Sequence, residues 1–384
     1  MTSRKAARPA RTAGPASEKA AAGNRATGPQ AGNIAPGRIV PAEWERHDAT
    51  WICWPHEDTD WPGKFGAIPW VYAEIVRALR YERVEILCHD AGVKERANST
   101  LAAHDVSPRG FRLHVVPTDR GWLRDSAPTF AWTASGSVEL LNWRFNGWAK
   151  YDNYTLDEKV GAAIGRITGL PRITAERPDD ASWLVLEGGG IESNGAGSVM
   201  VTEEWLLSDS QVRNPGMDRT AYERVFRDYL GAANTIWLGE GCAGDDTHGH
   251  IDDIARFAAP DVVLLAYEAN ANDSNHRQSV DNLRRLEAAA SRHPLRIVKL
   301  PYPRPVIMDG QRLPASYANF YVANGIVIVP TFNDSMDRVA LGIIGDEFPD
   351  REIVGIHAVD LVWGLGTLHC LTQQQPSPRR NDFR

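Results

Sequence analysis

From Pro41 onward, short apolar runs alternate with amphipathic stretches, and no other feature restricts the fold of this chain so strongly. Residues 83–88, 112–116, 138–143, 198–202, 235–238, 262–266, 296–300, 320–329 and 352–357 read as strands. Residues 70–81, 157–168, 219–230, 280–290 and 334–344 carry the spacing of helices. Pro69 precedes the first of these, where a missing N–H costs nothing. Paired strands and one helix, repeated about five times, place the chain in the α/β or α+β class. No linker is long enough to divide the body, so residues 39–376 are expected to form one domain. No repeat is visible at the level of sequence.

The ends differ from that body. Residues 1–38 hold seven Arg or Lys against one acid, Glu18. The first 36 are mostly Ala, Gly, Pro, Arg, Ser and Thr, too poor in apolar side chains to offset the entropy of ordering. We read 1–38 as a disordered basic tail, and 377–384 as a short C-terminal tail. The net formal charge is −7, so the body from residue 39 carries −13. Such a body favours a cationic small substrate over nucleic acid. No apolar run reaches the roughly 20 residues of a membrane span. The four cysteines (Cys53, Cys88, Cys242, Cys370) are far apart in sequence, which fits a reducing, cytoplasmic location rather than a disulfide framework. A homodimer is the default expectation for a compact enzyme.

Four stretches place reactive or charged residues where a solvated surface would not need them. Gly364-Leu-Gly-Thr-Leu-His-Cys370 sets a lone thiol after a glycine-containing turn, as a nucleophile or as a small hydrophobe at a strand end. Asp119-Arg-Gly-Trp122-Leu-Arg-Asp125 sets an aromatic three residues from a carboxylate, which suits a planar cation; a surface turn with an Arg–Asp pair is the plain alternative. Leu184-Val-Leu-Glu187-Gly-Gly-Gly190 ends an apolar run in a glutamate that, if buried, needs a polar partner; a tight hairpin would also use these glycines.

The fourth, Gly244-Asp-Asp-Thr-His248-Gly-His250-Ile-Asp252-Asp253, packs two histidines and four acids together. In a strand, His250 and Asp252 share a face and Asp253 points away. The segment suits a metal site built on His248, His250 and Asp252. It equally suits a metal-free site in which His250 moves protons and Asp252 anchors a cation. A metal site would leave Cys370, Trp122 and Glu187 without a role. A thiol, one histidine and three carboxylates together describe a site for a guanidinium.

The residues that carry this site, with Pro41-Ala-Glu-Trp-Glu, Leu313-Pro-Ala-Ser-Tyr-Ala-Asn-Phe-Tyr and His369-Cys370-Leu-Thr-Gln-Gln-Gln-Pro, resemble the agmatine deiminase family from about Pro41 to Pro376. That family includes bacterial peptidylarginine deiminases. The resemblance implies a pentein fold, an α/β-propeller of five ββαβ modules around a pseudo-fivefold axis. It implies hydrolysis of a guanidine to a urea and ammonia without metal or organic cofactor. It also implies that Cys370 is the nucleophile, His250 the general acid/base, and Glu187 the partner that orients His250. Asp125 and Asp252 become the guanidinium anchors, and Trp122 lines the substrate channel.

The chain departs from the family's agmatine enzymes within the loop before Cys370, at Ala127 and at Asp253. Agmatine is the leading substrate, with another guanidine such as an arginine side chain second. A metal-dependent ureohydrolase is the reading from a different class, and a non-catalytic binding protein the last. Cys242 and His248 are left between the site and its surroundings. His369 is expected to point opposite Cys370 and support the loop.

Overall fold

A computed structural model describes residues 37–379; of the tail read over 1–38, residues 1–36 lie outside the described residues, as do 380–384, whereas Arg38 is not disordered but pairs antiparallel with Thr133. Five mixed sheets carry the body, with a two-stranded hairpin, Ile307–Met308 and Gln311–Arg312, beside them. Each sheet repeats one connectivity. A central strand pairs antiparallel with one neighbour and parallel with another, and a helical segment lies between the parallel partners in sequence.

The central strands are His47–Cys53, Val138–Asn142, Ser198–Thr202, Val262–Tyr267 and Ile326–Thr331. Their parallel partners are Arg83–Cys88, Arg172–Thr174, Asn234–Leu238, Arg296–Pro301 and Glu352–His357. Parallel strands cannot be joined by a tight turn, so each pair needs a crossover. Ile68–Ala78, Val160–Thr168, Arg219–Val225, His276–Ala290 and Met336–Glu347 supply it. In the sheet of His47–Cys53 the antiparallel neighbour is Thr372–Pro376, so the far end of the body pairs with its start.

Side-chain chemistry explains the elements. Ile68–Ala78 has proline at its first turn and buries Ile68, Tyr72, Ile75 and Val76, one face at helical spacing, while Trp70 stays exposed. Central strands such as Val262–Tyr267 are buried nearly throughout, as sheets covered on both faces require. All nine strands read from sequence are present, with ends within two residues, but the run at 320–329 is two strands. Tyr321–Ala323 and Ile326–Thr331 pair across a turn in which Gly325 adopts φ 67°, a conformation that costs glycine little. All five helices are present; the one read at 280–290 begins a turn earlier, at His276. Strands His47–Cys53, Thr129–Thr133 and Ala255–Ala259 and helix Ala91–Ala103 are additional.

Among the described residues no helix is long and apolar enough to cross a membrane. Residues 377–379 are held to the body: the Ser377 amide donates to the Arg46 carbonyl and the Arg379 amide to that of Gly136.

Candidate active site

Four single-turn segments converge. Asp125 stands on Leu123–Ser126, Glu187 caps Gly188–Gly190, Asp252 lies in Ile251–Asp253 behind His250, and Cys370 belongs to Leu368–Leu371. The glycines of the second turn give room for the others. A Cβ on Gly189 would stand 2.6 Å from His250 Nδ1, 2.8 Å from Asp125 Oδ1 and 3.1 Å from Asp252 Oδ2. The triple glycine is therefore a packed turn rather than a simple hairpin. The Gly189 amide donates to Asp125 Oδ1 at 2.9 Å.

His250 and Asp252 sit in a turn, not on the expected strand, because residues 251–253 form a 3-10 turn before strand Ala255–Ala259 begins. The turn also brings Asp253 inside. It is buried and accepts from Asn319 Nδ2 at 3.0 Å, where a strand would have aimed it away. The His250 ring is 1% exposed, with Nδ1 3.8 Å from Asp125 and Nε2 3.6 Å from Glu187. Burial works against its charge, but the carboxylates of Asp125, Glu187 and Asp252 prevail and push its pKa up to about 9. Trp205 closes edge-on over the ring, centroid to centroid 5.6 Å.

Glu187 is fixed on every side. Trp205 Nε1 donates to it at 2.6 Å and Arg213 Nε at 3.1 Å. Burial raises its pKa, yet Arg213, His250 and Trp205 bring it down to about 2. Asp125, also buried, accepts from Trp148 Nε1 at 2.9 Å through its second oxygen, and burial pushes its pKa upward. Asp252 is buried too. His369 and His250 hold its pKa below the ordinary range in spite of that burial.

Cys370 is 7% exposed, so the turn before it does not lift the thiol to the surface. The residue in the left-handed region there is Leu365, φ 69°, and not a glycine. Gly364 and Gly366 serve close approach instead. A Cβ at either would strike Trp122, and at Gly364 also Trp61. The sulfur accepts from Asn319 Nδ2 at 3.1 Å and lies 3.7 Å from Asp252 Oδ2. Burial, then Asp252, Asp253 and Asp125, hold the thiol well above its usual pKa. Trp122, packed on Trp61 at 5.3 Å, walls a cavity of about 450 Å³ that ends on Asp125 and Cys370.

Two residues of this site, Glu43 and Asn319, were not assigned roles from sequence, and a third, His369, is placed differently from its expected role. His369 does not point away to support the loop. Its Nδ1 bonds Asp252 Oδ2 at 2.7 Å and its Nε2 bonds Glu43 Oε2 at 2.8 Å. Glu43 is held in turn by Arg256 at 2.8 Å and Arg124 at 3.3 Å. Asn319 ties the turn of Cys370 in place, its Oδ1 accepting from Thr367 Oγ1 and the His369 amide. The only sequence signals were the runs that contain Glu43 and Asn319.

His248 bonds Ser208 Oγ at 3.0 Å and lines a separate cleft, so the three ligands of the metal reading do not share the cavity of Cys370. Cys242 is buried beside Asn275 and does not line that cavity. Cys53 is a buried strand residue 3.3 Å from Thr118 Oγ1. Asp252 Oδ1 and both His250 nitrogens are buried without a hydrogen-bond partner. Such groups are costly unless a donor or acceptor reaches them. A thiol 3.7 Å from Asp252 can add to a planar cationic carbon held by these carboxylates, and a charged histidine among the same carboxylates can give a proton to its leaving nitrogen.

This fold and this site fit an enzyme that hydrolyses a C–N bond of an amidine. The chain belongs to the Porphyromonas-type peptidyl-arginine deiminase family, whose model matches residues 39–376. It is 34% identical over 369 residues to an agmatine deiminase of Pseudomonas aeruginosa (strain LESB58), covering 90% of this chain and 97% of that one. An agmatine deiminase of Pseudomonas fluorescens (strain SBW25) is 33% identical over 375 residues, covering 90% and 98%. Among solved structures, the agmatine deiminase of Enterococcus faecalis superposes with a TM-score of 0.81 at 29% identity, over 89% of this chain and 97% of that one.

Proposed function

We propose that this protein is an agmatine deiminase, a hydrolase that converts agmatine and water to N-carbamoylputrescine and ammonia. The observation that carries the reading is the buried Asp252 oxygen without a partner, on a carboxylate 3.7 Å from the Cys370 sulfur, with Asp125 and His250 paired at 3.8 Å in the same site. A guanidinium supplies planar N–H donors for such carboxylates, and two carboxylates hold it for attack on its face. Its charge offsets the field that keeps Cys370 protonated, so binding the substrate favours the thiolate.

The thiolate adds to the guanidinium carbon. His250 gives its proton to the departing nitrogen, ammonia leaves, and an S-alkylthiouronium remains on Cys370. Neutral His250 then takes a proton from water as its oxygen adds to the same carbon. The C–S bond breaks with its electron pair on sulfur, so Cys370 leaves as the thiolate, the hydroxyl proton passes to solvent where ammonia takes it up, and the ureido product departs. Glu187 keeps His250 oriented and charged, and Trp122 flanks the alkyl chain.

In this reading residues 39–376 form one catalytic domain, and the five sheets are the five modules of a pentein propeller around the site. Their repeated connectivity supports that arrangement. The four cysteines, all free, suit a cytoplasmic enzyme.

The test is release of ammonia and ureido product from agmatine, with and without a chelator, by the unaltered protein and by Cys370→Ala. We expect turnover indifferent to the chelator and a loss of about a thousandfold or more in the variant. Chelator-sensitive activity that survives in Cys370→Ala would sink the thiol mechanism.

A further inference from the structure

The cavity that ends on Cys370 is lined by three carboxylates, and two of them are fully engaged. Asp125 accepts from the Gly189 amide and Trp148 Nε1. Asp246, farther along the wall, takes the Tyr151 hydroxyl at 2.6 Å on one oxygen and the Lys150 ammonium on the other. The third is Asp60, on the turn Asp58–Asp60, with a side chain only 1% exposed. Its Oδ1 accepts from Arg120 Nη1 at 2.6 Å, and its Oδ2 has no hydrogen-bond partner.

Arg120 has little more to give. Its Nε and Nη2 both donate to Asn153 Oδ1, at 3.3 and 3.0 Å, and its guanidinium lies over the Tyr151 ring at 4.3 Å. A buried carboxylate oxygen with no donor is costly, and one lining a cavity can be satisfied by a ligand. The turn of Asp60 also abuts the catalytic one. Trp61 follows Asp60 and packs on Trp122, and Gly364 is tight against both rings.

We infer that Asp60 is the specificity residue for the distal end of the substrate, its Oδ2 accepting a hydrogen bond from a primary ammonium separated from the guanidinium by a short alkyl chain. The assignment rests on the deiminase reading and narrows it to guanidinoalkyl-ammonium substrates. Trp122 and Trp148 flank the alkyl chain, which needs no polar partner. Arginine carries an α-carboxylate next to its ammonium. That group would come up beside the Asp60 carboxylate, and arginine is the poorer substrate for that reason.

The test compares agmatine with n-butylguanidine, the same chain without the ammonium, in the unaltered enzyme and in Asp60→Asn. The unaltered enzyme is expected to prefer agmatine in kcat/KM by about tenfold or more. In Asp60→Asn that preference falls about tenfold, mainly through KM for agmatine. Equal kcat/KM for the two compounds in the unaltered enzyme overturns the subsite without any variant. A variant that keeps the full preference overturns it as well. If the unaltered enzyme produces ureido product from neither compound, the deiminase reading itself falls and takes the subsite with it. Turnover of butylguanidine alongside a lost preference separates the two outcomes.

Discussion

His250 concentrates the electrostatics of the site in one ring. Its pKa stands near 9 in the folded protein, against an ordinary histidine value of about 6.5. A group whose pKa is raised by folding contributes stability that is complete below its unfolded value and disappears as pH rises through the folded value. The midpoint of urea unfolding should therefore fall between about pH 6.5 and 9 from this residue alone. His250→Gln should flatten that interval, and an unchanged slope in the variant would refute the assignment. Glu187 works in the opposite sense. Its pKa is lowered to about 2, so its contribution is present above its ordinary range and is lost only in strong acid.

At this scale the sequence was informative for residues whose neighbours along the chain were unusual. Cys370, His250, Asp252, Asp125 and Glu187 each sit in a run that burial alone does not explain. Glu43 and His369 lie in runs that were noticed, but nothing in those runs shows that the two side chains meet. Their significance lies in a hydrogen bond between residues 326 apart, which no local pattern encodes.

Single-turn elements, rather than long helices or strands, hold the reactive groups. A turn of three or four residues has little stability of its own, so each is fixed by its neighbours. Gly189 is where they come closest. Gly189→Ala should fold, since the methyl meets side-chain atoms that can shift, and should lose kcat/KM for agmatine by about a hundredfold as His250, Asp125 and Asp252 are displaced. Retained activity with an unchanged thermal midpoint would show that the turn tolerates rearrangement. The long elements were legible because apolar periodicity accumulates over many residues, as in Ile68–Ala78. Helix Ala91–Ala103 was missed because it buries only Val93, Ala97 and Leu101, too thin a stripe to stand out from its polar face. The strand run at 320–329 was read as one because Asn324-Gly325 interrupts it without breaking its apolar character.

Across the whole molecule, distant parts of the chain are joined by buried charge. Arg256 bonds Glu43, Glu192 and the carbonyls of Ala318 and Phe320, and Glu43 reaches on to Arg124, His369 and the Val322 amide. Removing one partner from such a group leaves the others charged and desolvated. Arg256→Met should lower the unfolding free energy by about 3–5 kcal/mol, as measured by urea denaturation. A loss under about 1 kcal/mol would mean that the network contributes no more than a surface pair.

The pairing of Thr372–Pro376 with His47–Cys53 has a consequence in time. Trp51 and Gln375 hydrogen-bond across 324 residues, and the thiol precedes the closing strand by two residues. A ribosome makes the acids and the histidine of the site long before it makes Cys370. In the proposed mechanism the chemistry is therefore withheld from the growing polypeptide until one of the last-made strands pairs with one of the first.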